Sequence, residues 1–499
     1  MFQPQFLSIS QIQGSFSDQH QLTKDEDDTF AQPYPDTQDL RILIVAEHAS
    51  MKFGGEAALP VHYFRELRQR KIEAWLVVHE RTRNELLTQF PADCDRIYFV
   101  PDTRWHRLLS STGKYLPRKI FEITCGFAMT MLTQLYQRRL IKKLVQNKQV
   151  DVIHQPIFVS PKIPSLIFGL GAPVVIGPMN GGMTFPPAFR HHEGKLVTFT
   201  VFIGRLLSNL LNTLIPGKKL AATLLVANKR TRKALPDGVQ GKVVELVENG
   251  VDVLLWRSKF SSHAKLNGLT PHLPHPNEDN TKHELRPVKF IFMGRLLGWK
   301  GLDLLLPAFQ QVLDQLPATL EIIGDGVAQD GLMQLAADLG LNDEQYTSKK
   351  GDRRPAIQFS GWLSQKECAR RLQAADVLVL PSLFESGGAV VLEAMATGLP
   401  VIATKWGGPM DYIDESCGVL VSPQSREEFI HGLSTAMVRL AQSPTLREKM
   451  GRTGRHRVLK SFNWQKKTDT ILQIYAETIH RVRTSPRNIC LKKSAKSKI

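Results

Sequence analysis

Cysteine is scarce in this sequence. Its five residues, Cys94, Cys125, Cys368, Cys417 and Cys490, are scattered and form no C-x-x-C pair. That pattern excludes a disulfide scaffold and a cysteine zinc site, and it suits a reducing compartment. The first residues lack the charged-then-apolar order of a secretory leader, so a cytoplasmic location is expected. No apolar run reads as a clean membrane span. The closest, LVTFTVFIGRLLSNLLNTLIPG at 196–217, is interrupted by Arg205. Its second half places Leu206, Leu207, Leu210, Leu211 and Leu214 on one helical face, which predicts an amphipathic helix. The G-x-G-x-x-G spacing of a dinucleotide oxidoreductase is also missing, since VAEHASMKFGGEA offers a single glycine pair. Asp-x-Asp, a pattern that holds a divalent metal at a strand end, occurs only at Asp25–Asp27 and Asp93–Asp95. Neither lies among the elements that carry the chemistry, so no metal or other cofactor is expected.

Charge is unbalanced. Lys and Arg number 64 against 47 Asp and Glu, a formal +17. Part of the excess is local, because the segment 481–499 carries Arg481, Arg483, Arg487, Lys492, Lys493, Lys496 and Lys498 with no acid. Phosphorylated small molecules and anionic membranes fit that sign. Nucleic acid would rest on charge alone, with no interleaved aromatic platform, and is not expected as a partner.

The rest of the chain alternates strand and helix patterns. LRILIVAEH, IEAWLVVHE, DVIHQP, APVVIGP, LAATLLVAN and KVVELVENG are apolar runs separated by helix-like stretches. After a polar segment the rhythm restarts with VKFIFMGRL, ATLEIIGDG, IQFSGWL, ADVLVLPS, LPVIATK and GVLVSP. Buried parallel strands with crossover helices are predicted in both halves. The expected organisation is a disordered head (1–39), a first Rossmann-like domain (40–266) and a linker or long loop (267–287). A second Rossmann-like domain (288–460), a helix that could cross back to the first domain (461–480) and a basic tail (481–499) follow.

The segment PSLFESGGAVVLEAMATGLPVIATKWGGP at 381–409 carries the densest chemistry. A buried strand ends at Ser382, Glu385 stands just beyond it, and Gly387 and Gly388 bring bare amides to a helix start at Ala389. Unpaired N–H groups and the helix dipole make such a start an anion site. Glu393 lies inside that helix. Two carboxylates beside a diphosphate suit hydroxyls, one on a sugar and one on a ribose. The balancing cations come from FMGRLLGWKGLD, where Arg295 ends a strand and Lys300 opens the next helix. A phosphate nest, hydroxyl acceptors and two cations together describe a sugar nucleotide.

On these residues the sequence resembles the retaining GT-B glycosyltransferases of family four, the glycosyl transferase group 1 kind. The matching pattern is Glu385, Glu393, Ala394 through Thr404, then Gly407 and Gly408. The resemblance implies an α/β GT-B fold, with two Rossmann-like doubly wound parallel-sheet domains facing a central cleft. It implies transfer of a sugar from a nucleotide-diphosphate donor, with retention of configuration, to a glycan or lipid-linked acceptor. It assigns Glu385 to the donor sugar, Glu393 to the ribose, and Arg295 and Lys300 to the diphosphate. Gly54 and Gly55 match the glycine pair that approaches the donor phosphate. Gly324 falls on the family's next strand–loop, and backbone near Gly361 and Leu363 flanks the base. Relatives carry a histidine near 180 that is thought catalytic, and this chain has Asn180. Asn180 and His154, at neighbouring strand ends, are therefore the acceptor-side candidates. The alternative is an inactive GT-B domain that binds a glycan or a partner, against which the retained Arg295, Lys300, Glu385 and Glu393 argue.

A membrane surface is a further expected partner. KIFEITCGFAMTMLTQLYQRRLIKK sets Phe121, Phe127, Met131, Leu132 and Leu135 before Arg138, Arg139, Lys142 and Lys143, and the 196–217 helix is followed by Lys218 and Lys219. Such helices attract anionic headgroups, which would place the protein at the inner face of a membrane.

Overall fold

The computed structural model describes residues 37–113, 115, 121–192, 208–258, 286–342, 344–346 and 353–484. Most of the head, the linker and the basic tail lie outside these residues. Thr37–Asp39, read from composition as part of the disordered head, forms a 3-10 turn leading into the first strand.

The first domain is a seven-stranded parallel sheet. Its strands are β1 Arg41–Val45, β2 Glu73–His79, β3 Ile97–Val100, β4 Val152–Gln155, β5 Val174–Met179, β6 Thr223–Val226 and β7 Lys242–Glu245. They lie in the order β3-β2-β1-β4-β5-β6-β7. The strands read as apolar runs because helices cover both faces. Ile42 and Ile44 point to one core layer, Leu43 and Val45 to the other, and all four are fully buried.

The second domain holds β8 Val288–Met293, β9 Ala318–Ile323, β12 Ile357–Gly361, β13 Val377–Leu380, β14 Val401–Thr404 and β15 Gly418–Val421. A small antiparallel pair, β10 Glu344–Tyr346 with β11 Arg353–Pro355, lies apart. The six-stranded parallel sheet has the order β12-β9-β8-β13-β14-β15. Strand progression reverses at β8, between β9 and β13, and at β1, between β2 and β4. Crevices at such reversals, beyond the carboxyl ends of the strands, are where this architecture binds ligands.

The last helix, Trp464–Thr484, leaves the second domain and packs on the first. Its Ile471, Leu472, Ile474, Tyr475 and Ile479 join the core layer that contains Ile42 and Ile44. Thr478 bonds Thr223 at 2.7 Å, and Arg481 donates to the Ala222 carbonyl at 2.6 Å. Trp464 stacks on His62 with ring centroids 4.5 Å apart.

Two helices carry the residues expected at a membrane surface, and one of those residues, Lys218, is placed otherwise. Of the 196–217 segment, 208–217 is described and 208–214 is helical, with Ser208 and Asn212 facing inward and Asn209 and Thr213 outward. Ser208 and Asn212 are buried and donate to the Lys162 carbonyl at 2.8 and 2.9 Å, while Leu210 and Leu214 are 59% and 69% exposed. A buried carbonyl needs a donor, and satisfying it turns the leucines outward. Lys218 is buried as well. Its ammonium donates to the Ser160 carbonyl at 2.6 Å and is pushed down to about 7, chiefly by burial. It is therefore not a headgroup-facing cation. In helix Phe127–Lys148 the inward face includes Met129, Thr133, Gln137 and Ile141, while Leu135 is half exposed. Among the described residues no helix is long and apolar enough to cross a membrane.

Candidate functional site

β8 ends at Met293 and delivers Arg295 to the sheet edge. Arg295 is exposed and has no side-chain partner among the described residues. The chain then turns through Gly298–Lys300 into Gly301, whose φ is +70°. A Cβ at Gly301 would lie 2.3 Å from the Pro381 carbonyl, so only glycine lets this turn rest on the end of β13. That contact sets Lys300 against Glu385, and the ammonium donates to the Glu385 carboxylate. Beyond Glu385, Gly388 has φ +73° and precedes helix Ala389–Thr397, which has no side-chain cap. Its first amides are left for another acceptor, and a helix start of this kind favours an anion.

These groups line a cavity of about 310 Å³. The second domain contributes Arg295, Lys300, Glu385, Gly387, Gly388 and Ala389, and the first contributes Gly55, Asn180, Glu248 and Asn249. Cations, bare amides and a carboxylate thus converge between the two sheet edges, an arrangement able to hold a diphosphate and read a hydroxyl.

Of the remaining candidates, Gly55 and Asn180 line this cavity and the others do not. Gly54, with φ +105°, caps helix Gly55–Gln69, and a Cβ at Gly54 or Gly55 would meet nothing within 4 Å. Gly324 donates its N–H to the Gly361 carbonyl at 2.8 Å, joining the ends of β9 and β12. Gly361 has φ +64°, and Leu363 packs partly buried against the second core. Glu393 sits on the second turn of its helix, outside the cavity lining. Its carboxyl finds no hydrogen-bond partner among the described residues, and burial raises it to about 7.

The two acceptor-side candidates separate. His154 is fully buried. Its Nε2 donates to the Gly177 carbonyl at 2.7 Å, and its Nδ1 accepts from the Tyr475 hydroxyl at 2.6 Å. Burial lowers it to about 4. With both nitrogens used and no place in the cavity lining, His154 is a core histidine and not an acceptor-side residue. Asn180 does line the cavity. Its Nδ2 donates to Glu248 Oε1 at 2.7 Å and to the Ser386 carbonyl at 2.6 Å, tying the two domains together.

Glu248 escaped sequence reasoning. It is 5% exposed, its Oε2 has no partner, and burial raises its carboxyl. A lone acid after a strand, in VENG, carries no local signal. His79, Asp102 and His106 form a second unforeseen group, with ligand-type atoms within 4.8 Å of one another. His79 Nδ1 accepts from the Arg81 amide at 3.2 Å, and His106 Nδ1 from the Thr103 amide at 3.3 Å. Each Nε2 therefore carries the proton, so neither ring has a free lone pair for a cation. His79 Nε2 points to Asp102 at 3.8 Å, and His106 Nε2 donates to Thr133 at 3.1 Å.

Residues 276–457 match the family model described as Glycosyl transferases group 1. The chain is 31% identical over 260 residues to a D-inositol 3-phosphate glycosyltransferase of Streptomyces bingchenggensis, covering 49% of this chain and 50% of that protein. It thus spans about half the length of that relative. Among solved structures, sucrose-phosphate synthase of Thermosynechococcus elongatus superposes with a TM-score of 0.57 at 18% identity, covering 88% of this chain and 98% of that one. Anabaena Alr3699/HepE in complex with UDP gives 0.54 at 18%, covering 88% and 100%. The fold is GT-B, and the similarity to the group 1 glycosyl transferases lies in residues 276–457.

Proposed function

We propose that the protein is a retaining, metal-independent hexosyltransferase using a nucleoside-diphosphate sugar. The observation that carries this reading is the Lys300–Glu385 pair beside the uncapped start of helix Ala389–Thr397, facing the first domain across one cavity. The donor diphosphate lies on Arg295, Lys300 and the amides after Gly388, with Gly55 close to it from the first domain. Glu385 takes hydroxyls of the sugar, Glu393 those of the ribose, and Gly361 and Leu363 flank the base. The HepE structure that shares this fold is a UDP complex, which supports a nucleotide ligand.

In the reaction the bond from the anomeric carbon to the β-phosphate oxygen breaks, and the acceptor oxygen attacks from the same face. The acceptor proton passes to the departing phosphate. Arg295 and Lys300 stabilise the charge that develops there, a role for preorganised cations. The acceptor is a glycan or lipid-linked intermediate at the cytoplasmic face of a membrane. A panel of UDP- and GDP-sugars, assayed for donor hydrolysis and transfer, tests the activity, and NMR of the product anomer tests retention. If no donor is hydrolysed or bound, the activity reading fails. An inverted product removes the mechanism.

A further inference from the structure

A second cavity, of about 590 Å³, opens on the first domain and shares no lining residue with the donor cavity. Its walls are Lys162, the loop after β5 at Gly182 and Thr184, and helix Lys229–Lys233 after β6. Gly182 has φ +72°, and a Cβ there would meet Ala234 Cβ at 3.0 Å and the Arg230 carbonyl at 3.2 Å. Glycine is what lets the loop lie against this helix.

The charge inside is of one sign. Lys162, Lys229, Arg230 and Lys233 line the cavity, and no carboxylate does. The three lysine ammonium groups have no hydrogen-bond or ion-pair partner among the described residues. The Arg230 guanidinium is poorly matched: its Nε is buried and unpartnered, and its Nη2 stands 3.5 Å from Asn180 Oδ1 and 3.9 Å from Asp411. Lys218, buried behind this wall, feels the Lys162 charge on top of its own burial. Apart from the Arg230–Asp411 contact at 3.9 Å, the cations lining the cavity face no carboxylate among the described residues; they repel one another, and an anion bound among them relieves that cost. Beside the cavity, helix 208–214 is fastened to the Lys162 carbonyl through Ser208 and Asn212 and holds Leu210 and Leu214 out to solvent.

We propose that this pocket is an anion subsite of the acceptor side, taking a phosphate or diphosphate group carried by the acceptor. The word acceptor rests on the glycosyltransferase reading, whereas the anion site does not. The volume is that of a ligand pocket, and a guanidinium with several ammonium groups matches the multiple oxygens of a phosphate. A lipid phosphate would lay its chain along Leu210 and Leu214; a soluble sugar phosphate would leave that face bare.

Calorimetric titration of the full chain with inorganic pyrophosphate, in the presence of saturating UDP or GDP to occupy the donor cavity, tests the site. Reversing both exposed lysines, Lys229→Glu with Lys233→Glu, should weaken pyrophosphate binding about tenfold or more, with UDP and GDP affinity changed less than about twofold. The milder Lys229→Gln, Lys233→Gln pair should move the same way, and wild-type binding should weaken as salt rises. Farnesyl diphosphate identifies the source. Tighter binding than pyrophosphate, lost in Leu210→Ser with Leu214→Ser, assigns a lipid phosphate; equal binding assigns a soluble one. Pyrophosphate binding that is absent, or indifferent to the lysine changes, overturns the subsite. Lysine-dependent pyrophosphate binding in a protein that neither binds nor hydrolyses any donor overturns the transferase reading and leaves the anion site standing.

Discussion

The ammonium of Lys300 and the carboxylate of Glu385, 85 positions apart in the chain, hold each other across the end of the second sheet. Each side chain is only 14% exposed. In the proposed donor pose this pair divides, the cation turning to the diphosphate and the carboxylate to the sugar. Lys300→Ala should therefore lower kcat/KM for donor hydrolysis by about 10²-fold or more, the scale of removing a preorganised charge stabiliser. Glu385→Gln should be similarly damaging, and the double variant should cost less than the product of the two, because the residues act as a unit. A fully active Lys300→Ala protein would refute the assignment.

Gly55 offers a sharper test. It starts a helix, its φ is not positive, and an added methyl group meets no protein atom within 4 Å. Gly55→Ala should thus fold with an unchanged or slightly raised Tm. If a donor phosphate sits on this backbone, the methyl group collides with it, and the donor KM should rise by at least about tenfold. An alanine variant with wild-type donor kinetics would place the phosphate elsewhere.

His154 predicts a dependence of stability on pH. Free in the unfolded chain it titrates near 6.5, whereas in the fold it does so at about 4. As pH falls through this interval the unfolded chain takes up a proton that the folded one refuses, so stability is full above 6.5 and is lost towards 4. Denaturant unfolding at pH 7.5 and 5.0 should show that decline. His154→Gln should reduce it, while lowering stability at pH 7.5 by about 1–3 kcal/mol through the lost Gly177 or Tyr475 bond. Turnover of the folded variant should stay near wild type; a well-folded variant without activity would return His154 to the active site.

The proposed membrane attachment loses one of the cations the sequence suggested and keeps two of its leucines. With Lys218 buried, the outward leucines Leu210 and Leu214 are the contact. Flotation with anionic vesicles should carry the wild-type chain upward, and Leu210→Glu with Leu214→Glu should leave it at the bottom of the gradient. Wild-type protein that does not float, with or without residues 481–499, would end the proposal.

The sheets were readable because buried parallel strands are apolar along their whole length, as in VLVL at 377–380. β3 was not, since IYFV is only four residues long, too short a run for its apolar pattern to stand out. Helix 208–214 could be read as amphipathic, but that Ser208 and Asn212 would fasten it to the Lys162 carbonyl could not, since that partner lies about fifty residues away. The local cluster from Glu385 to Glu393 could be seen in one glance at the sequence. Glu248 and the cationic pocket could not, because their neighbours come from segments such as 162, 182 and 229–233 that only the fold brings together.

The helix Trp464–Thr484 has a consequence for synthesis. Tyr475 bonds His154, and Ile471 and Ile474 fill the layer beneath β1, so the first domain closes with residues made after the second domain. A ribosome that has released residues 37–258 has delivered a sheet whose core layer holds Leu59, Phe64 and Leu67 but lacks Ile471, Leu472, Ile474 and Tyr475. That intermediate must wait for the entire second domain to emerge. Expression of 37–258 alone should give aggregated material, while the same segment fused to 464–484 through a flexible tether should give a folded one, a boundary that no single cut in the chain can reproduce.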